Sequence, residues 1–242
     1  MIRDVLDTHT HTIVSGHAYS TIRENAEAAR QKGLKALGIT EHAPSMPGSC
    51  HEFYFINFKV IPREAYGVRL FMGVELNIVD YDGTVDLSEY YLKRMDIVIA
   101  SLHGPCIKPG TMEENTRAVL KAMENPYVNI IAHPDDANYP LDYEKVVLGA
   151  KKNHVLLELN NSSLKPGGAR GDFARDLDIQ MLKLCMEHEV PIAMGSDAHV
   201  DADVGNHDRA IALLEELNFP EHLVVNRSVE ALEEFLNPDV QM

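Results

Sequence analysis

The sequence predicts an α/β protein in which parallel strands form a small (β/α) barrel. Three observations predict it. Short apolar runs alternate with amphipathic helical stretches along the 242 residues instead of falling into blocks. Alternation at this spacing gives parallel strands with helices packed outside them. Polar residues able to do chemistry recur where the apolar runs end, the edge at which parallel barrels build their sites. Seven such strands in about 200 residues suit a closed barrel slightly smaller than the eightfold form. An open doubly wound sheet is the alternative.

The expected strands are Asp4–Thr8, Ala36–Thr40, Leu70–Ile78, Asp96–Ser101, Val128–Ala132, Val155–Asn160 and Ile192–Ser196. Thr21 and Glu24 form a capping pattern that opens a helix reaching about Lys32, where Gly33 supplies a stop. Further helices are expected over Met112–Glu124, Tyr143–Asn153, Phe173–Glu189 and Asn206–Asn218. A last one follows the strand-like Leu223–Val225, with Ser228 as its N-cap. Ser45–Gly67 is weakly patterned and reads as an insertion near the second strand, placed to cover a site. No linker, repeat or low-complexity segment divides the chain, so one domain over residues 1–242 is the simplest organisation.

Composition narrows the function classes. Hydrophobic residues make up 45% and charged residues 24%, as in an ordinary globular protein. No apolar run approaches the roughly 18–20 residues that span a bilayer, and the start lacks the apolar stretch of a signal peptide. A cytoplasmic protein without a membrane partner is expected. The formal net charge of −15 opposes stable binding to nucleic acid, which rests on Lys and Arg neutralising phosphates. It leaves room for a small phosphorylated ligand held by local cations. Cys50, Cys106 and Cys185 are scattered and odd in number, which argues against a disulfide framework. Oligomeric state does not follow from the sequence.

Polar residues cluster at the strand ends. His9 and His11 follow the first strand with i, i+2 spacing, which aims both side chains the same way on extended backbone. His17 lies in the next loop. The second strand ends in Thr40-Glu41-His42, the fourth in His103, the fifth in His133-Pro134 and the seventh in Ser196-Asp197-Ala198-His199. Glu75 interrupts an otherwise apolar third strand, where an unpaired carboxylate would be costly to bury.

Seven histidines, one glutamate and one aspartate therefore offer nine N/O donors on one rim. A catalytic zinc ion takes three protein ligands and a water, so the set suits two or three ions. Any one of these histidines alone would more often be a surface or hydrogen-bonded residue. Nine at corresponding strand ends are not independent accidents. His51, His154, His188, His207 and His222 fall in loops or helical stretches and are left out.

In their order, His9-Thr10-His11, His17, Thr40-Glu41-His42, Glu75, His103, His133-Pro134 and Gly195-Ser196-Asp197-Ala198-His199 resemble the motifs of the PHP (polymerase and histidinol phosphatase) superfamily. His17-Ala18-Tyr19-Ser20-Thr21, Phe55-Ile56-Asn57 and Leu159-Asn160-Asn161-Ser162-Ser163 are similar to its single-domain bacterial phosphatases in particular. The resemblance implies a distorted, TIM-like (β/α)7 barrel with three divalent transition-metal ions. Zinc is the expected metal, with iron or manganese as alternatives, since imidazole and carboxylate donors suit all three. Carried over, His9, His11, Glu75 and Asp197 hold one ion; His17, His42 and His199 a second; Glu75, His103 and His133 the third.

The chemistry expected of such a centre is phosphomonoester hydrolysis by a metal-activated hydroxide, without a Ser or Cys nucleophile. Glu75 and Asp197 are its catalytic carboxylates. Either Asp197 or a bound water protonates the leaving group, and the sequence does not choose. In the loop Lys165–Gly171, Arg170 could grip phosphate, with Asn160 beside it at the strand end. A phosphodiesterase or exonuclease and a histidinol phosphatase are the alternative activities. A metal-stabilised domain serving a partner is the non-enzymatic one.

Overall fold

A computed structural model describes residues 2–168, 170 and 173–236. Its strands are β1 (Leu6–Asp7), β2 (Ala36–His42), β3 (Arg69–Asn77), β4 (Ile97–Ser101), β5 (Ile130–Ile131), β6 (Leu156–Asn160) and β7 (Ile192–Gly195). They pair in chain order, β1 to β7, and every neighbouring pair is parallel. The helices are α1 (Ile22–Gln31), α2 (Phe53–Ile56), α3 (Glu89–Leu92), α4 (Met112–Met123), α5 (Tyr143–Asn153), α6 (Ala174–His188), α7 (Asp208–Glu216) and α8 (Val229–Glu233). The expected capping pattern forms at α1: Thr21 accepts from Glu24 N while Glu24 accepts from the Thr21 backbone.

Strand alternation sorts the side chains into two layers. On β3, Leu70, Met72, Val74 and Leu76 face the helices and join the outer core. Phe71 joins Leu6, Ala36, Ile97, Ile99, Ile130, Leu156 and Ala193 in the barrel interior. Continuing on the same inward face, Glu75 reaches the C-terminal rim. The apolar plug thus fills the bottom of the barrel and leaves its upper end to polar side chains.

The distortion expected of the barrel lies at its closure. Among the described residues, β1 and β7 share no ladder, only an isolated parallel bridge between Thr10 and Ala198. Below it, the Asn226 amide fills the gap. It accepts from Met194 N at 2.7 Å and donates to Leu6 O at 2.8 Å and Met194 O at 2.9 Å. The strand-like Leu223–Val225 forms 3₁₀ turns instead, because its pairing is limited to one bridge from Val224 to Ile192. β1 is shorter than expected. Asp7 Oδ1 accepts from His9 N at 3.2 Å, and this turn interrupts the strand before the histidines.

The insertion over residues 45–67 packs Phe55 and Phe58 into the outer core rather than lining the site cavity. No helix among the described residues is long and apolar enough to cross a membrane.

Candidate metal centre

All nine donor residues expected from the sequence converge on the C-terminal rim. Glu75 lies at their centre, fully buried, with its two oxygens facing different groups. Oε2 is 3.4 Å from His9 Nε2, 3.4 Å from His11 Nε2 and 2.7 Å from His42 Nδ1. Oε1 is 2.9 Å from His133 Nε2 and 3.1 Å from His103 Nε2, and accepts from Ser101 Oγ at 2.9 Å. Asp197 Oδ1 is 3.4 Å from His11 Nε2 and 3.7 Å from His9 Nε2. His17 stacks on the outer side, its ring 5.0 Å from His42 and 4.8 Å from His199.

The imidazoles are fixed from behind. His9 Nδ1 donates to Glu158 Oε1 at 2.8 Å, and His103 Nδ1 to Asn77 Oδ1 at 2.7 Å. His11 Nδ1 donates to Ser15 Oγ at 3.1 Å, and that hydroxyl donates to the buried Glu41 at 2.6 Å. His17 and His199 donate through Nδ1 to the carbonyls of Ser15 and Asp197. Five rings thereby turn an Nε2 lone pair toward the centre, the arrangement that metal-ligating histidines adopt.

Those lone pairs need a cation. His9 Nε2 and His11 Nε2 lie only 3.0 Å apart, although each ring holds its proton on Nδ1. His42 Nδ1 and Glu75 Oε2 are buried and, although 2.7 Å apart, are not aligned as a hydrogen bond and have no other hydrogen-bond partner. Around an ion with bonds of about 2.05 Å, tetrahedral donors stand roughly 3.3 Å apart. The separations of 3.0–3.7 Å among His9, His11, Glu75 and Asp197 bracket that value. Among the described residues, three donor triplets have atoms within 4.8 Å of one another: His11, His42, His199; His9, His11, Glu75; and His42, Glu75, His103. The residues fit bound metal, with His11 and His42 central to the triplets as well as Glu75.

Charge is balanced within the cluster. Burial alone would push His9 down, but Glu158, Glu75 and Asp197 outweigh it and hold its pKa well above the usual value, so an ion binding at Nε2 would displace the second proton that these carboxylates favour on the ring. Burial would likewise raise Glu75, yet His42, His103 and His9 keep it well below the usual carboxylate range. Two donors carry backbone strain. His133 has φ of 31° and Asp197 of 54°, a region that non-glycine residues enter at a cost and that recurs at functional sites.

Beside the cluster opens a cavity of about 770 Å³, bordered by His103, Asp136, Ser162, Lys165, Arg170 and Asp197 among others. Arg170 reaches its wall. There its guanidinium donates to Asp197 Oδ2 at 2.7 Å and to Ser163 Oγ at 3.2 Å. Asn160 lies buried beneath the wall, and its amide is committed to the scaffold. Its Nδ2 donates to Glu158 and Asp197, while Oδ1 accepts from Ser162 N and Ser163 N. Its neighbour Asn161 faces the other way and accepts from the first turn of α7. Ala169 and Gly171, in the glycine-containing loop expected around Arg170, lie outside the described residues. Burial pushes the Cys106 thiol up to about 11, toward its protonated form.

Several supporting residues escaped the sequence reading. Glu158 is the chief one; a lone carboxylate in the apolar run Val155–Asn160 was the same signal that singled out Glu75. Asp135 and Asp178 are two more, buried near Arg170. Burial and mutual repulsion raise Asp178 well above the ordinary range, and burial, partly offset by Arg170, brings Asp135 to about 6.

The pattern of a PHP domain matches residues 7–217. The chain belongs to the PHP family. This PHP domain is 49% identical over 232 residues to a probable phosphatase of Clostridium novyi, covering 96% of this chain and 94% of that one. It is 49% identical over 236 residues to a probable phosphatase of Caldanaerobacter subterraneus, covering 97% and 92%. Its fold is similar to that of histidinol phosphate phosphatase from Lactococcus lactis, solved with zinc, L-histidinol and phosphate. The TM-score is 0.58 at 19% identity, with 90% and 95% of the two chains covered. At that identity the likeness concerns the fold alone.

Proposed function

We propose that this PHP domain is a metal-dependent phosphatase that hydrolyses small phosphomonoesters at a centre of three ions. One observation carries the reading: the two oxygens of Glu75 face two separate histidine groups, as a carboxylate bridging two ions would. In this assignment His9, His11, Glu75 and Asp197 hold one ion, His17, His42 and His199 a second, and Glu75, His103 and His133 the third. Zinc, which the Lactococcus lactis protein was solved with, suits this imidazole-rich set.

Bound ions supply Lewis acidity, which deprotonates water near neutral pH and offsets phosphoryl charge. The chain's own residues do the rest. Glu158, Ser15, Asn77 and the carbonyls of Ser15 and Asp197 hold five imidazoles in one tautomer. Arg170 stands between Asp197 and the cavity, where its remaining N–H groups can meet a phosphoryl oxygen. The cavity would receive the leaving group, and Asp136, Ser162 and Lys165 on its wall would offer that group hydrogen-bond partners. The chain charge of −15 favours a small phosphomonoester over a nucleic-acid end.

The deciding experiment compares p-nitrophenyl phosphate with bis-p-nitrophenyl phosphate on zinc-loaded protein. Faster hydrolysis of the monoester is expected. Preference for the diester would replace the reading with a phosphodiesterase, and inactivity on both would remove the enzyme reading.

A further inference from the structure

His9 and His11 stand on one side of the seam between β1 and β7, and Asp197 and His199 on the other. The two strands share no ladder there, so some other device must set the distance between ligands that would hold the same ion. Asp7 occupies that position. Its Oδ1 accepts from His9 N at 3.2 Å and Ser196 N at 3.0 Å. Its Oδ2 accepts from Ser196 Oγ at 2.5 Å and Gly205 N at 2.8 Å. One carboxylate thus ties the residue backbone of His9 to the residue just before Asp197. Asp197 N completes the brace by donating to His9 O at 2.9 Å.

Asp7 is fully buried, which is tolerable only because every contact is a donor and a cation stands behind it. His207 supplies that cation. Its Nε2 lies 3.4 Å from Asp7 Oδ1, and its Nδ1 bonds Asp4 Oδ2 at 2.8 Å. Neither Asp7 nor His207 faces the centre itself. An amide could not replace the carboxylate without loss: whichever way it turned, its NH₂ would meet at least one backbone N–H.

We propose that Asp7 is a positioning residue that sets the separation of His9 and Asp197, and with it the affinity for the ion they would share. The inference rests on the metal-centre reading above.

The test measures zinc affinity by competition with a chromogenic chelator, alongside thermal melting. Asp7→Asn should weaken one class of bound zinc by about 10- to 100-fold, the range seen when residues supporting a metal ligand are changed. Activity of this variant should return at excess zinc. Asp4→Asn removes the charge of the other partner of His207 without touching the seam, so it should lower the melting temperature and leave zinc affinity unchanged. A folded Asp7→Asn protein with wild-type zinc affinity would overturn the proposal, as would an equal loss in Asp4→Asn. Should Asp7→Asn fail to fold, Ser196→Ala decides. It removes only the hydroxyl contact, and unchanged zinc affinity in that variant would also overturn the proposal. Wild-type protein that takes up no zinc would remove the metal-centre reading itself, a result visible before any variant is made.

Discussion

Glu158 Oε1 sits 2.8 Å from His9 Nδ1 and fills the space that a side chain at residue 195 would need. A Cβ on Gly195 would fall 2.0 Å from that oxygen and 2.8 Å from His9 Cβ. Glycine on β7 is therefore what allows the carboxylate of β6 to reach the histidine that follows β1. Glu158→Ala frees the His9 ring to rotate and is expected to lower zinc affinity by about 10- to 100-fold. Gly195→Ala forces the pair apart, and an overpacking cost of about 1–3 kcal/mol in thermal or denaturant unfolding is expected. Chelator competition on the first variant and melting curves on the second check the relationship from both ends.

A second prediction concerns Glu75. Glu75→Gln removes the charge and one of the two acceptor oxygens that face the separate histidine groups. Loss of at least about 1,000-fold in kcat is expected, roughly 4 kcal/mol of transition-state stabilisation. Elemental analysis should find fewer than three ions per chain. His188→Ala, at the end of α6, should leave both activity and metal content unchanged. Equal losses in the two variants would place the site elsewhere.

The rim was legible in the sequence because strand alternation and strand ends leave a periodic trace. His42, Glu75, His103 and His133 could each be placed at the end or on the inward face of a strand before any contact was known. Glu158 carried the same trace as Glu75, a charge inside Val155–Asn160, but it belongs to none of the motifs that tied Glu75 to the histidines. The seam left no such trace. Asn226 mimics backbone pairing with an amide side chain, and Asp7 reaches Ser196 across 189 residues, so neither shows any period. Arg170 was legible as a cation near the site, but its engagement with Asp197 depends on loop geometry that composition does not encode.

Arg170 gives the third prediction. Its guanidinium donates to Asp197 Oδ2 and reaches the cavity wall, so Arg170→Ala removes the phosphate contact proposed for it together with the bond that holds Asp197 Oδ2. A fall in kcat/KM of about 10- to 100-fold is expected, equivalent to roughly 1.4–2.8 kcal/mol. Arg170→Lys should recover part of it, since an ammonium keeps the charge but not the fork. Metal content should stay at the wild-type level in both, because Asp197 Oδ1 still faces His9 and His11. Wild-type kinetics in Arg170→Ala would exclude the residue from phosphate binding.

The last prediction follows from the buried pair behind the seam. Burial alone would lower the pKa of His207, but Asp7 and Asp4 outweigh it and raise it to about 10 from an ordinary value of 6.5. A histidine raised on folding contributes stability that is complete below its unfolded pKa. That contribution is lost as pH climbs through the folded one. The window therefore runs from about pH 6.5 up to pH 10. His207→Gln leaves Asp4 and Asp7 without their cation and is expected to cost about 3 kcal/mol near pH 6.5, the scale for breaking a buried ion pair. The difference between wild type and variant should shrink steadily toward pH 10, because the wild-type histidine itself loses its proton there. Denaturant unfolding of both proteins at several pH values measures it directly. A difference that stays constant from pH 6.5 to pH 10 would mean that His207 packs as a neutral ring and carries no charge for Asp7.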